Sequence, residues 1–206
     1  MNLAACASLP TVPHTGTWYR AADPKYLDKV FRTRHTRVTP SRFYEGASAR
    51  PQFETLYLGE SQQVALFEAR AMLGSPVVPG GAVGNPARPW VVLNIDVILQ
   101  RVIDLTDVGV VQAVLGTTAQ ELTGDWEGYG QRGPHTPVRL PVGTAPTQAL
   151  GSALYALRRV EGFLSLSARV PFQRILVVFP QRLRRGSLLR FEYTDTTGAR
   201  QVFSLP

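Results

Sequence analysis

Lysine is almost missing from this chain: Lys25 and Lys29 are the only two, and arginine carries the rest of the positive charge. Cysteine is scarcer still. Cys6 stands alone, which excludes an internal disulfide and fits a reducing compartment. No run of 18 apolar residues occurs, so no membrane span and no membrane partner are expected. The opening stretch, Met1 to Pro13, lacks a basic region ahead of its short apolar piece, so a secretory signal is not expected and the cytoplasm is. The three histidines, His14, His35 and His135, lie in polar or proline-rich segments without a second ligand at metal spacing. A zinc site and a Ser-His-Asp triad are therefore not expected, and the chemistry is read without a metal. No Gly-x-x-x-x-Gly-Lys loop is present. Gly80-Gly81-Ala82-Val83-Gly84 lacks the Gly-x-Gly-x-x-Gly spacing and follows a proline rather than a strand.

What remains is an ordinary globular composition, 44% apolar and 18% charged over 206 residues, enough for one domain with a sizeable core. The net charge of +7 suits nucleic acid, a phosphate-bearing ligand or an acidic protein. The densest basic segments, Arg32 to Arg37 and Arg182 to Arg185, carry no interleaved aromatics of the kind that stack on bases, so nucleic acid is not expected as a partner of this chain alone. Residues 1–14 read as a loose arm and residues 15–206 as the domain. Strand patterns fall at 17–21, 55–59, 90–97, 101–105, 163–168, 175–179, 187–193 and 201–205. Helical patterns fall at 25–31, 61–73 (Ser61 as N-cap), 107–115, from Thr117 or Thr118 to Leu122, and 147–157. Gly74 to Pro89 and Gly128 to Pro146 read as connections. Strands and helices do not alternate regularly, which argues for α+β: a single domain of mixed sheets flanked by short helices.

One residue on the 61–73 helix is out of place. Glu68 has Val64 and Ala65 a turn behind and Ala71 and Met72 a turn ahead, which sets a carboxylate in an apolar stripe. Such a group must be paired, protonated or waiting for a ligand, because burying it alone is expensive. An arginine partner under a loop is the plain alternative. Arg20, after two aromatics at the end of a short strand, and Arg42, before Phe43 and Tyr44, can each point inward or lie along the surface. Ser165 and Ser167 share one side of their strand.

The order of these features is more telling than any one of them. Trp18-Tyr19-Arg20 is followed by Ser41-Arg42-Phe43, then Thr55 to Ser61 leading to Ala65-Leu66-Phe67-Glu68. Leu122 to Trp126, Thr147-Gln148-Ala149-Leu150-Gly151 and Leu166-Ser167-Ala168-Arg169 come after. Over roughly residues 17 to 181 this resembles the RES domain family, named for an arginine, a glutamate and a serine in that order. The resemblance implies a fold like that of the ADP-ribosyltransferases and a toxin of a bacterial toxin–antitoxin pair. It implies an enzyme that consumes NAD, by hydrolysis, phosphorolysis or transfer of ADP-ribose to a protein, with NAD as substrate and no further cofactor. It also implies an Xre-like antitoxin as partner. Carried onto this chain, the arginine falls on Arg20, the glutamate on Glu68 and the serine on Ser167, with Arg42 and Tyr57 lining the NAD pocket. Leu166 stands where the family often has proline, which leaves Ser165 as a rival for the serine. The implied chemistry is coherent. Breaking the nicotinamide–ribose bond leaves an oxocarbenium-like ribose that a carboxylate stabilises, and guanidinium forks suit a pyrophosphate. A basic binding module without catalysis, in which Glu68 is a structural ion pair, is the rival from another class.

Overall fold

Two successive backbone amides decide how the longest strand is used. In the computed structural model, which describes residues 1–127, 129 and 143–206, strand β5 runs from Val91–Asp104 without a break. Along its first part Leu93, Ile95, Val97 and Leu99 all enter one core; beyond them Val102 keeps that side while Ile103 and Leu105 turn to another. The alternation slips because one residue of β1 (Val12–Ala22), Pro13, faces two of β5, Gln100 and Arg101: Val12 sits opposite Val102 and His14 opposite Leu99. An extra residue of this kind is a β-bulge, and it leaves amides without ladder partners. Here both are taken by one carboxylate oxygen. Glu161 Oε2 accepts from Gln100 N at 2.6 Å and from Arg101 N at 2.8 Å. Its Oε1 accepts from Arg184 N at 2.7 Å and from the Ser187 hydroxyl. Glu161 is wholly buried, with four donors and no ion pair among the described residues.

The remaining strands build on β5. The order is β1, β2 (Leu56–Gly59), β7 (Arg174–Val178), β6 (Gly162–Leu166), β5, β8 (Leu188–Thr194) and β9 (Arg200–Leu205). Every pairing is antiparallel except β5 with β6. Because β1 pairs with both β5 and β2, five strands close on themselves and the β8–β9 hairpin extends from β5. Trp18, Leu56, Leu58, Ile95, Leu164, Leu176 and Val178 fill the enclosed side. On the other face Phe163, Ile175, Val177 and Phe179 pack under the helices α2 (Val108–Leu115), α3 (Ala119–Thr123) and α4 (Pro146–Ala156). Phe53 stacks on Tyr155 at 4.2 Å and meets Phe179 edge-on at 5.6 Å. Such ring pairs add about 0.5–1.5 kcal/mol each beyond the area they bury.

The architecture is the expected mixed α+β fold. Several elements differ in detail from the sequence reading, each for a local reason. The first residues are not loose: Leu3–Ser8 is a 3-10 helix whose Cys6, with Leu9, is buried in the helix-side core. Strand β1 then begins at Val12 rather than 17. The stretch expected as a helix over 25–31 is a 3-10 helix, Pro24–Lys29, started by Asp23 accepting from Lys25 N. The strands expected at 90–97 and 101–105 are the two halves of β5. Helix α1 (Gln62–Glu68) is shorter than 61–73, and part of the expected connection after it is a hairpin, β3 (Met72–Gly74) with β4 (Ala82–Gly84). Thr118, not Thr117, caps α3, its hydroxyl accepting from Glu121 N at 3.1 Å. The connection read at 128–146 and His135 fall largely or wholly outside the described residues.

Two outcomes follow from the fold. Replacing Glu161 with alanine removes the acceptor from four donors, and at about 1–3 kcal/mol per buried donor left bare the loss of stability is ~3 kcal/mol or more. Glu161→Gln, which keeps one carbonyl, falls between that variant and the native chain. Urea midpoints measure both, and an alanine variant as stable as the native chain would overturn the assignment. The second concerns His14, whose Nε2 accepts from Trp18 Nε1 at 2.9 Å, a bond that only the unprotonated nitrogen can make. Burial, then the nearby Arg174 charge, holds its pKa below the usual value. The unfolded chain therefore binds the proton more tightly, and this contribution is intact above about pH 6.5 and declines as pH falls below it. Thermal melts between pH 7 and 5 detect the decline, and His14→Gln flattens it.

Candidate functional site

Glu68 is placed by a glycine, a serine and a left-handed turn. At Gly59, the last residue of β2, a Cβ would lie 2.7 Å from Ala65 N and 2.9 Å from Val64 Cβ. Only glycine lets α1 sit so close on the strand. Ser61 caps the helix, its Oγ accepting from Val64 N at 3.2 Å. Arg70 then adopts φ 57°, which an α-helix cannot continue through. Glu68 is thus the last helical residue and half-buried, with Val64 and Ala65 covered behind it. The apolar stripe expected ahead of it is cut short: Ala71 is buried, but Met72 has already left the helix for β3. The carboxylate faces a cleft.

Its partner is a hydroxyl, not a cation. Ser167 Oγ donates to Glu68 Oε1 at 2.6 Å and accepts from Arg169 N at 3.1 Å and Val170 N at 3.0 Å. Ser167 lies just past the end of β6, so its hydroxyl fastens the loop that follows the strand and aims at the glutamate. With both lone pairs engaged by amides, its proton has one destination. Glu68 Oε2 has no hydrogen-bond partner among the described residues. Ser165 is different: it is fully buried within β6, and its hydroxyl has no partner among the described residues.

The cleft has a volume of about 830 Å³, and Arg20, Arg42, Tyr57 and Glu68 all line it. Arg20 donates to Val30 O, and burial pushes its pKa down to about 10. Arg42 is buried, donates through Nη2 to Leu166 O at 3.0 Å, and lies 4.8 Å from the Phe43 ring centre. Its Nη1 is buried without a partner among the described residues. Burial lowers the Arg42 pKa, and the Glu68 charge opposes that shift. Neither arginine has an ion pair among the described residues. Two guanidiniums, Arg42 buried and Arg20 partly so, without counter-ions among the described residues and beside one carboxylate make a place for an anionic ligand that also carries positive charge. The Tyr57 hydroxyl is engaged by Ser41 Oγ at 2.9 Å and Phe43 N at 3.1 Å, and burial raises its pKa. Its ring, not its hydroxyl, is the part offered to the cleft.

Several lining groups escaped the sequence reading. Arg70 and Glu127 form an ion pair at the cleft, and Trp126 adds an aromatic face beside them. Arg169 is exposed, lines both this cleft and a neighbouring cavity of about 490 Å³, and has no ion pair among the described residues. Leu122 to Trp126 and Leu166 to Arg169 stand out in the sequence as segments, but nothing in their pattern separates a cleft residue from a neighbour.

The model of the RES domain matches residues 17–196, most of the chain. No curated protein matches it in sequence. Among solved structures, that of the M. tuberculosis MbcT–MbcA toxin–antitoxin complex is similar, with a TM-score of 0.59 at 20% identity over 98% of this chain and 89% of that one. At that identity the likeness speaks for the fold. The family model, spanning both arginines, the glutamate and the serine, goes further: the chain belongs to the RES domain family.

Proposed function

We propose that the protein consumes NAD by cleaving the bond between nicotinamide and ribose, and that it acts as the toxin of a toxin–antitoxin pair. The observation that carries this reading is the Glu68 carboxylate, half-buried at the end of α1 and oriented by the Ser167 hydroxyl at 2.6 Å, in a cleft that also holds two unpaired arginines. Loss of nicotinamide leaves positive charge on the ribose. A carboxylate about 4 Å away is worth about 1 kcal/mol in bulk water and about 4 kcal/mol at the effective dielectric of a protein site. That difference of ~3 kcal/mol corresponds to a rate factor of roughly 10². Glu68 supplies this term, Ser167 holds Glu68 in place, Arg20 and Arg42 take the pyrophosphate, and the Tyr57 ring packs against the ligand. NAD is the substrate, and the reading uses no other cofactor.

The similar structure is of a toxin bound to its antitoxin, which supports a protein partner that silences the enzyme. We assign that partner to the Xre-like antitoxin class and the site of action to the cytoplasm; no helix among the described residues is long and apolar enough to cross a membrane. Water, phosphate or a protein side chain could each complete the reaction at the ribose. We take water or phosphate as the acceptor, hence hydrolysis or phosphorolysis, with transfer to a protein as the alternative.

Purified protein is expected to release nicotinamide from NAD, and Glu68→Gln to slow this about 10²- to 10³-fold with an unchanged melting profile. Chromatography of the products measures both, and full activity in Glu68→Gln would remove the central role given to the carboxylate. With NAD labelled in the adenine ring, the label is expected in small products; its appearance on a macromolecule would favour transfer instead. Expression alone is expected to arrest growth, and co-expression of the neighbouring antitoxin gene to relieve it.

A further inference from the structure

Thr147-Gln148-Ala149-Leu150-Gly151 stands out in the sequence, yet none of these residues lines the cleft. The structure gives the segment a different task. Residues 41–44 form a tight turn closed by Ser41 N to Tyr44 O at 2.8 Å and Tyr44 N to Ser41 O at 3.2 Å. Its flanks are anchored: Phe43 and Tyr44 are fully buried, and Phe43 meets Phe163 edge-on at 4.9 Å. Arg42 sits on the turn, lining the cleft with the tip of its guanidinium unpartnered. A residue on a turn is only as well placed as the turn itself.

Helix α4 grips this turn at both ends. The Gln148 amide donates to Ser41 O at 3.0 Å and to Tyr44 O at 3.3 Å. Its own carbonyl accepts from Ala145 N at 3.3 Å, which fixes the side chain at the helix start. One turn on, on the same helical face, Gly151 lies directly against the turn: a Cβ there would be 1.9 Å from Phe43 O. Tyr57 holds the turn from the sheet side through Ser41 and Phe43. The turn is thus clamped between a strand and a helix, and it carries Arg42, whose Nη2 is held by Leu166 O and whose Nη1 has no partner among the described residues.

We propose that Gln148 and Gly151 are positioning residues for Arg42: α4 fixes the geometry with which Arg42 meets the phosphates of a dinucleotide, without touching the ligand. This rests on the reading of Arg42 as a phosphate ligand. If Gln148 only satisfied buried carbonyls, its loss would lower stability without regard to Arg42. As a positioning residue its loss acts through Arg42 and disappears when Arg42 is gone.

The test is a double-mutant cycle with Gln148→Met, which keeps the side-chain length and removes the donors, and Arg42→Ala. For NAD cleavage, Gln148→Met is expected to raise KM about tenfold with kcat within about twofold, and to change kcat/KM less than about twofold in the Arg42→Ala background. An equal effect in both backgrounds, or a loss confined to kcat, would overturn the proposal. Should Gln148→Met fail to fold, Tyr57→Phe, which loosens the same turn from the opposite side, enters the cycle in its place and is read the same way. Calorimetric binding of inorganic pyrophosphate separates this inference from the proposed reaction. If the native chain cleaves no NAD but binds pyrophosphate through Arg42, and Gln148→Met weakens that binding only when Arg42 is present, positioning stands and the reaction falls. Binding indifferent to Arg42, or dependent on it but indifferent to Gln148, overturns the positioning role.

Discussion

One carboxyl group held by four hydrogen-bond donors sets the terms for this fold. Glu161 receives the two amides freed by the bulge at Gln100 and Arg101 and, with its other oxygen, the entry to β8. Without the bulge, Ile103 and Leu105 would lie on the wrong side of β5, since a shift of one residue moves every later side chain to the opposite face. With it, a single strand fills the enclosed core with its first half and anchors the helix-side core with its second. A carboxyl group in such a place is tolerable because both its oxygens are hydrogen-bonded, and the donors come from several directions at once.

The same economy recurs at the cleft. Ser167 resembles Glu161 in kind if not in scale: a polar side chain at a strand end that collects backbone amides and so gains a fixed direction. Its direction matters because it is what Glu68 is fastened to. The glutamate is therefore referenced to β6 through Ser167 and to β2 through the contact of α1 on Gly59. Arg42 is referenced to β6 as well, through Leu166 O. Charge of both signs is thus hung from adjacent residues of one strand end, which keeps the distance between them a property of the scaffold rather than of flexible loops.

Much of this was legible in the sequence where the signal was local. The Ser61 cap, the central strands, the start of α4 and the oddity of Glu68 all follow from residues within a turn or two of one another. The order of arginine, glutamate and serine carried the family. What escaped is what depends on distant backbone. Glu161 precedes Gly162 and Phe163 in a way indistinguishable from a surface residue at a strand start, because three of its four donors are main-chain amides and amides leave no mark in a sequence. The packing of Cys6 and Leu9 was hidden by small residues with no helical period around them. The early end of α1 hinged on Arg70 accepting a left-handed conformation, which nothing about arginine announces. The difference between Ser165 and Ser167 is one of strand length: the strand stops at Leu166, so one serine is sealed inside and the next emerges beside Glu68.

The closure of the sheet bears on how the molecule breathes. Strand β1 is zipped to β5 from Val12 to Ala22, but on its other edge it meets β2 at the single pair Tyr19 and Gly59. Tyr19, Arg20 and Ala21 on one side of that stitch, and Leu58 and Gly59 on the other, are cleft residues. A ring fastened unevenly parts at its weakest fastening, and here that point is the rim of the cleft. Fluctuations too small to disturb either core can widen the mouth by parting this seam, with β1 still held along β5. Access to the half-buried carboxylate and the local stability of one strand pair are, in that sense, the same quantity.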